Sequence, residues 1–256
     1  MKHIYKFSIV LLAVFTFIGC NVDDDDAVTV LPMKELTASF VNQGDIIGIA
    51  DDASSYDLVI SFSEPLPSYS TIEYSLDGGA TTSSSVSAGD NTLVIPIAFE
   101  LNDDFHDISL SDFIVVNASA RRFTTSLTGN SSVRVMRQGY FSAKMTWEGN
   151  QDLDLLLGTM SSSWAPGFLL DSSELVGNEE NVSGSQLEDG NYGLVVLEWP
   201  NNTFSQPVDI TFEIVTAGGT FNLNKNALDF GFHVWCTKST SGDGNVSWTM
   251  YTEDPS

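Results

Sequence analysis

The period of the apolar residues constrains this chain more than any other feature. They alternate with polar ones again and again, and no segment of convincing length keeps the spacing of an amphipathic helix. Strict alternation sends successive side chains to opposite faces, which is the signature of a half-buried strand. Leu58, Ile60 and Phe62 alternate with Asp57, Ser61 and Ser63 until Pro65 and Pro67 end the run. Ile72, Tyr74 and Leu76 follow and close in the turn Asp77-Gly78-Gly79. Leu93, Ile95 and Ile97 form another strand, which Pro96 assigns to a sheet edge because proline has no amide proton to give a neighbour. Phe113 to Val116 reads as a short buried run, and Val133-Arg134-Val135-Met136 as the last strand before the chain changes character.

Beyond Gln138-Gly139 tryptophan becomes frequent. Phe141, Ala143, Met145 and Trp147 alternate with polar residues, as do Leu153, Leu155 and Leu157 with Asp152 and Asp154. Tyr192 to Trp199 is apolar except for Glu198, as a central strand requires. Val208, Ile210, Phe212 and Ile214 alternate, then Leu228, Phe230, Phe232 and Val234, and Val246, Trp248 and Met250 make the last strand. The pattern predicts an all-β chain of two β-sandwich domains. An immunoglobulin-like or fibronectin-like sandwich occupies residues 35–137 and a jelly-roll-like one residues 138–256. No fixed-period repeat points to a solenoid or propeller.

Two resemblances sharpen this. Tyr74-Ser75-Leu76-Asp77-Gly78-Gly79 is similar to hairpins of bacterial surface modules. Met145-Thr146-Trp147, Asp152-Leu153-Asp154-Leu155, Asp189-Gly190-Asn191-Tyr192-Gly193 and Pro207-Val208-Asp209-Ile210 together resemble bacterial pre-peptidase C-terminal domains and related jelly rolls, over residues 138–220. The chain departs from that pattern after Leu157, where Gly158-Thr159-Met160 replaces a Pro-Gly turn. Such domains are accessory modules, so the resemblance implies binding or spacing and no catalysis.

The N-terminus predicts location. Lys2, His3 and Lys6 precede an apolar run from Phe7 to Ile18, too short to span a bilayer and of signal-peptide length. Phe17-Ile18-Gly19-Cys20 resembles a lipobox, although Phe17 replaces the usual leucine. The resemblance implies that residues 1–19 are removed and Cys20 is acylated, so that outer-membrane lipid is the first partner. Residues 20–34 form an acidic tether whose Asp23-Asp24-Asp25-Asp26 run resembles the surface-export signal of Bacteroidota lipoproteins, implying a cell-exterior location. A plain linker would read the same way.

Charge and residue counts narrow the chemistry. The net charge of −24, made more negative by loss of Lys2 and Lys6, repels phosphate backbones and leaves nucleic acid a poor partner. With Cys20 acylated, Cys236 has no disulfide partner and reads as a small packed residue. Only His106 and His233 lie beyond the leader; no nucleophile elbow, zincin pair or zinc-ligand spacing accompanies them, and no enzyme is expected. Asp103, Asp104 and Asp107 read as an exposed loop around His106.

No cofactor is required, but calcium is an open alternative. Asp152 and Asp154 lie two apart on one strand face and could share a hard cation, or could simply face solvent. For glycan binding the candidates are three rings. Trp164 lies in a serine-rich loop, Trp199 at a strand end, and Trp235 out of phase with the apolar face of its strand. Packing against core or edge is the alternative fate of each, whereas Trp147 and Trp248 are in phase and belong to the core. The expected function is therefore a non-catalytic surface module, glycan-binding beside an outer-membrane uptake system. The alternative is a structural or adhesive lipoprotein engaging another surface protein.

Overall fold

The computed structural model describes residues 33–116, 122–175, 177–199, 206–227 and 230–255. Cys20, the Asp23–Asp26 run, Asn201, Asn202, Leu228 and Asp229 lie outside the described residues. The protein is all-β, with no helix among the described residues, and its strands form four sheets stacked in sandwiches.

The first nine strands pair only with one another. They are β1 (Lys34–Phe40), β2 (Ile46–Ile49), β3 (Ser55–Phe62), β4 (Ser70–Leu76), β5 (Thr82–Val86), β6 (Thr92–Ala98), β7 (Phe105–Val115), β8 (Phe123–Leu127) and β9 (Ser132–Arg137). One sheet runs β6-β3-β1-β8 and the other β2-β9-β7-β4-β5. After Phe40 the chain leaves the first sheet, turns, and joins the second at Ile46 in parallel to β9, the sheet switch of an immunoglobulin-like sandwich. Pro96 does lie on an edge strand, opposite Asp57. Asp77 and Gly78 both take positive φ (51° and 67°) in a tight turn that the Gly79 amide closes on the Leu76 carbonyl at 2.8 Å, within the five-residue connection between β4 and β5. Phe113 to Val116 is not a separate short run. Its residues through Val115 end the eleven-residue β7, which begins back at Phe105 in the stretch read as loop. The polar segments β5 and β8 carry too little apolar alternation to be noticed in sequence, and are strands because neighbours supply the ladder.

The second set comprises β10 (Phe141–Trp147), β11 (Leu153–Met160), β12 (Pro166–Ser173), β13 (Glu179–Gly184), β14 (Gly190–Glu198), β15 (Val208–Thr216), β16 (Gly219–Ala227), β17 (Gly231–Thr240) and β18 (Val246–Tyr251). A four-stranded sheet runs β13-β10-β15-β16 and a five-stranded one β12-β11-β14-β17-β18. Hairpins join β11–β12, β15–β16 and β17–β18, and every other connection crosses between sheets, as in jelly rolls. The apolar run of β14 occupies the centre of its sheet. Phe141, Met145, Leu153, Leu155, Phe212 and Ile214 are wholly buried between the sheets, and Trp147 and Trp248 join them.

The two sandwiches meet at a built junction. Arg137 is buried, and its guanidinium donates to the carbonyls of Glu100 (2.8 Å), Asp103 (2.7 Å), Ala53 (3.2 Å) and Asp51. Asp51 in turn accepts the amide of Gly139 at 2.6 Å. A side chain at Gly139 would collide with Gln186 and Leu187 backbone at 2.8 Å, so this crossing needs glycine. From the other side Lys238 donates to the Leu187 carbonyl at 2.6 Å, with its ammonium 3.8 Å from Asp51, and Ser185 donates to Asp104 at 2.9 Å.

Candidate functional site

The outer face of the five-stranded sheet is the part of this surface that departs most from the usual polar exterior. Its registers place side chains in rows across the strands. One row reads Leu169, Gly158, Gly193, Trp235, Tyr251. The row on one side reads Pro166, Met160, Asn191, Thr237, Thr249, and the row on the other Ser172, Leu156, Val195, Phe232. An aromatic platform therefore borders a strip of two glycines, with a polar margin on one side.

Phe232 reaches this face through a bulge. The register between β14 and β17 shifts at Leu194/Val195, so that His233 is the extra residue of a bulge and Phe232 and Trp235 project together. Sequence alternation places Phe232 on the inner face with Val234; the structure corrects that, and Gly231 at φ 152° is the one local sign of the irregularity. A Cβ on Gly193 would meet the Phe232 ring at 2.5–2.6 Å, so the ring lies against the bare glycine backbone. Trp235 continues the platform, 6.4 Å from Phe232 with ring planes 32° apart.

Trp164 is held over the same end. Asn191 donates to the Ser161 carbonyl at 3.1 Å, fastening the serine loop to the sheet, while the Ser161 hydroxyl accepts the amides of Ser163 and Ala165. This tight turn puts Trp164 at φ 61°, a left-handed conformation that costs a bulky residue about 1–2 kcal/mol. Its ring meets Tyr251 edge-on, with centroids 5.6 Å apart and planes at 77°. Trp164 and Trp235 are both half-buried, and each neighbours Tyr251, Trp164 through its ring contact and Trp235 as its strand partner. Phe168 (83 % exposed) and Leu169 (60 %) stand at the far border of the glycine strip, around a depression of about 150 Å³ lined also by Leu156, Val195 and Phe232.

Trp199 does not join this group. It is 63 % exposed at the opposite end of the sheet, where its amide donates to the Asp152 carbonyl. Asp152 and Asp154 belong to that end. Asp154 is raised to about 6, chiefly because burial penalises its charge and then because Glu174, Asp152 and Glu180 repel it. Among the described residues no three His, Cys, Asp or Glu side chains converge to hold a metal ion.

The remaining candidates resolve into packing. Cys236 is buried, which pushes its thiol up to about 12 and leaves it protonated. His106 is no loop residue: on β7 its Nδ1 lies 2.6 Å from Asp77 and its Nε2 3.3 Å from Asp103, with Phe99 edge-on to its ring. Asp107 is bound bidentately by Arg134, at 2.6 and 2.7 Å. His233 occupies the bulge.

No family model and no curated protein matches the chain. Among solved structures it is similar to an apo-form Calx CBD1 domain (11 % identity, 40 % of this chain and 95 % of that one, TM-score 0.30). It is also similar to CBD12 from CALX1.2 (13 % identity, 65 % and 83 %, TM-score 0.29) and to a marsupial T cell receptor (9 % identity, 75 % and 100 %, TM-score 0.23).

Proposed function

We propose that this protein is a non-catalytic cell-surface lipoprotein, anchored through Cys20, whose second sandwich binds a neutral glycan beside an outer-membrane uptake system. The observation that carries the reading is the platform of Trp164, Phe232, Trp235 and Tyr251 on one sheet face, reached over two glycines. Aromatic faces stack on the apolar faces of sugar rings, and Asn191, Thr237 and Thr249 offer hydroxyl partners along the margin. No charged residue occurs in the three rows, which suits an uncharged ligand. Trp199 drops out of this site and stands alone as an exposed ring. Calcium at Asp152 and Asp154 belongs to the proposal as a separate, structural feature of the other end of the sheet.

Trp235→Ala and Trp164→Ala should each abolish retardation of the full chain on a polysaccharide affinity gel, while melting temperatures stay within a few degrees of the parent. Retention of gel binding in both variants would remove the platform from the reading. A second reading, an adhesive module engaging another surface protein, is favoured by one observation. Edge strand β12 exposes Phe168, Leu169 and Leu170 in succession and is paired on one side only. Failure of the parent protein to bind any neutral polysaccharide would favour that alternative.

A further inference from the structure

We propose that the aromatic platform is one part of a longer track whose ligand is an internal stretch of a linear neutral polysaccharide, lying across the strands from β12 to β18, a proposal that rests on the glycan reading of the platform and deepens it. The ligand is then a polymer, neither a single sugar nor a chain end, and β12 contributes a second subsite.

The rings follow one another across the sheet. Trp164 meets Tyr251, Tyr251 is the strand partner of Trp235, and Trp235 lies 6.4 Å from Phe232. Phe232 in turn shares the hollow of about 150 Å³ with Phe168 and Leu169, on the far side of Gly158. Neighbouring strands lie about 4.8 Å apart, so the path from β12 to β18 covers roughly 19 Å. A sugar ring stacks on one aromatic face at a time, so a ligand that meets both ends of this path is a chain of several sugars.

The chemistry of the hollow suits the middle of that chain. Leu156, Val195, Phe232, Leu169 and Pro166 give it an apolar lining. Its single side-chain hydroxyl, on Thr159, is already engaged: it accepts the Phe168 amide at 2.7 Å and donates to the Phe168 carbonyl at 3.4 Å. A chain end brings an additional hydroxyl, and stripping water from it without a partner is costly. An internal sugar lays an apolar face on the lining and keeps its hydroxyls at the rim in water. Because β12 is the edge strand, the chain continues over Phe168 and off the sheet.

The edge itself supports this use. Phe168, Leu169 and Leu170 are exposed in succession, and Pro166 to Leu170 carries no charge in a chain of net charge −24. Edge strands ordinarily carry charges that keep other chains away, and contiguous apolar exposure marks a binding surface. The rest of β12 is closed off: Asp171 accepts the Ser183 amide of β13 at 2.7 Å, and the Ser173 hydroxyl accepts the Asn181 amide at 3.3 Å. The uncharged, open segment of the edge is therefore the part that borders the hollow. At the opposite end the Ser161 turn keeps Trp164 left-handed, and backbone strain of this kind collects at ligand sites.

The test starts with electrophoresis of the full chain through gels of hydroxyethyl cellulose, xylan, mannan and starch. The polymer that retards it most then supplies a disaccharide and a hexasaccharide for calorimetric titration, the hexasaccharide also with its reducing end converted to the alditol. The hexasaccharide should bind at least about tenfold more tightly than the disaccharide, and its alditol equally well. The double variant Phe168→Ser/Leu169→Ser should bind the hexasaccharide about tenfold more weakly, through lost stacking, and the disaccharide within about twofold of the parent. Both side chains are exposed, so its melting temperature should stay at the parent value, which separates lost binding from failed folding. Equal affinity for disaccharide and hexasaccharide, or loss of binding to the alditol, overturns the internal-chain assignment while the platform reading stands. Hexasaccharide binding untouched by the double variant removes the β12 subsite with the same result, and returns Phe168 and Leu169 to the protein-partner reading. If none of the gels retards the parent, the glycan reading falls and the track with it.

Discussion

Asp154 points away from the core yet is only 8 % exposed, and three carboxylates act on it. Its acidity constant in the fold, about 6, lies above the ordinary aspartate value of 3.8, so the folded state holds the proton more tightly than the unfolded chain. Folding is therefore favoured by this group below about pH 4, and the benefit is lost as pH rises through about 6. Without divalent cations, the parent should lose several degrees of melting temperature between pH 4 and pH 7 that Asp154→Asn does not lose. Superimposable pH–melting curves for the two proteins would refute the assignment. The same residue illustrates what alternation conveys and what it leaves out. Position two along from Asp152 puts both carboxylates on one face, but the rest of the repulsion comes from Glu174, just past the end of β12, and Glu180 on β13.

At the scale of the element, β17 carries the lesson. Leu228, Phe230, Phe232 and Val234 alternate in sequence as one apolar face, whereas the bulge at His233 turns Phe232 outward beside Trp235. A bulge is decided by what the partner strand offers, and β14 offers Gly193, whose missing side chain leaves space for the Phe232 ring. Gly193→Val should therefore displace the ring. Overpacking of this kind costs about 1–3 kcal/mol, or roughly 2–10 °C of melting temperature for a chain of this length. Polysaccharide retardation should fall with it, and quenching of Trp235 fluorescence by acrylamide should rise as the neighbouring ring leaves. A variant with unchanged quenching and retardation would show that Phe232 is not part of the platform. β12 and β13 were invisible to pattern for another reason. β12 is exposed along nearly its whole length, so no buried face imposes a period on it, and β13 is short, with Glu180 standing at a core position.

Across the whole molecule, the charge of −24 and the fastening of the two sandwiches set the context. Arg137 and Lys238 are two of only ten basic residues, and both are buried at the junction between the sandwiches. The surface is correspondingly more acidic than the count of basic residues alone would suggest, and an anionic membrane surface repels it. In the proposed function, attachment rests on acyl chains at Cys20, so Cys20→Ser should move the protein from the detergent phase to the aqueous phase on partitioning, or leave it unprocessed. Partitioning unchanged by that substitution would remove the anchor from the proposed function.

Much of the fold was legible because alternation is a local property: Leu58-Ile60-Phe62 and Val208-Ile210-Phe212-Ile214 declare a buried face without reference to any other strand. Pro96 declared an edge for the same reason, since a missing amide proton is a fact about one residue. Of the candidate rings, Trp235 showed itself by being out of phase and Trp164 by its serine-rich surroundings. What the tertiary structure alone decided is which of them meet. The register of β17 with β18 sets Tyr251 against Trp235, the Ser161 turn brings Trp164 over Tyr251, and Trp199 is left at the other end of the sheet. Periodicity specifies the face on which a side chain lies. Pairing partners and register specify its neighbours, and these depend on contacts between segments far apart in the chain.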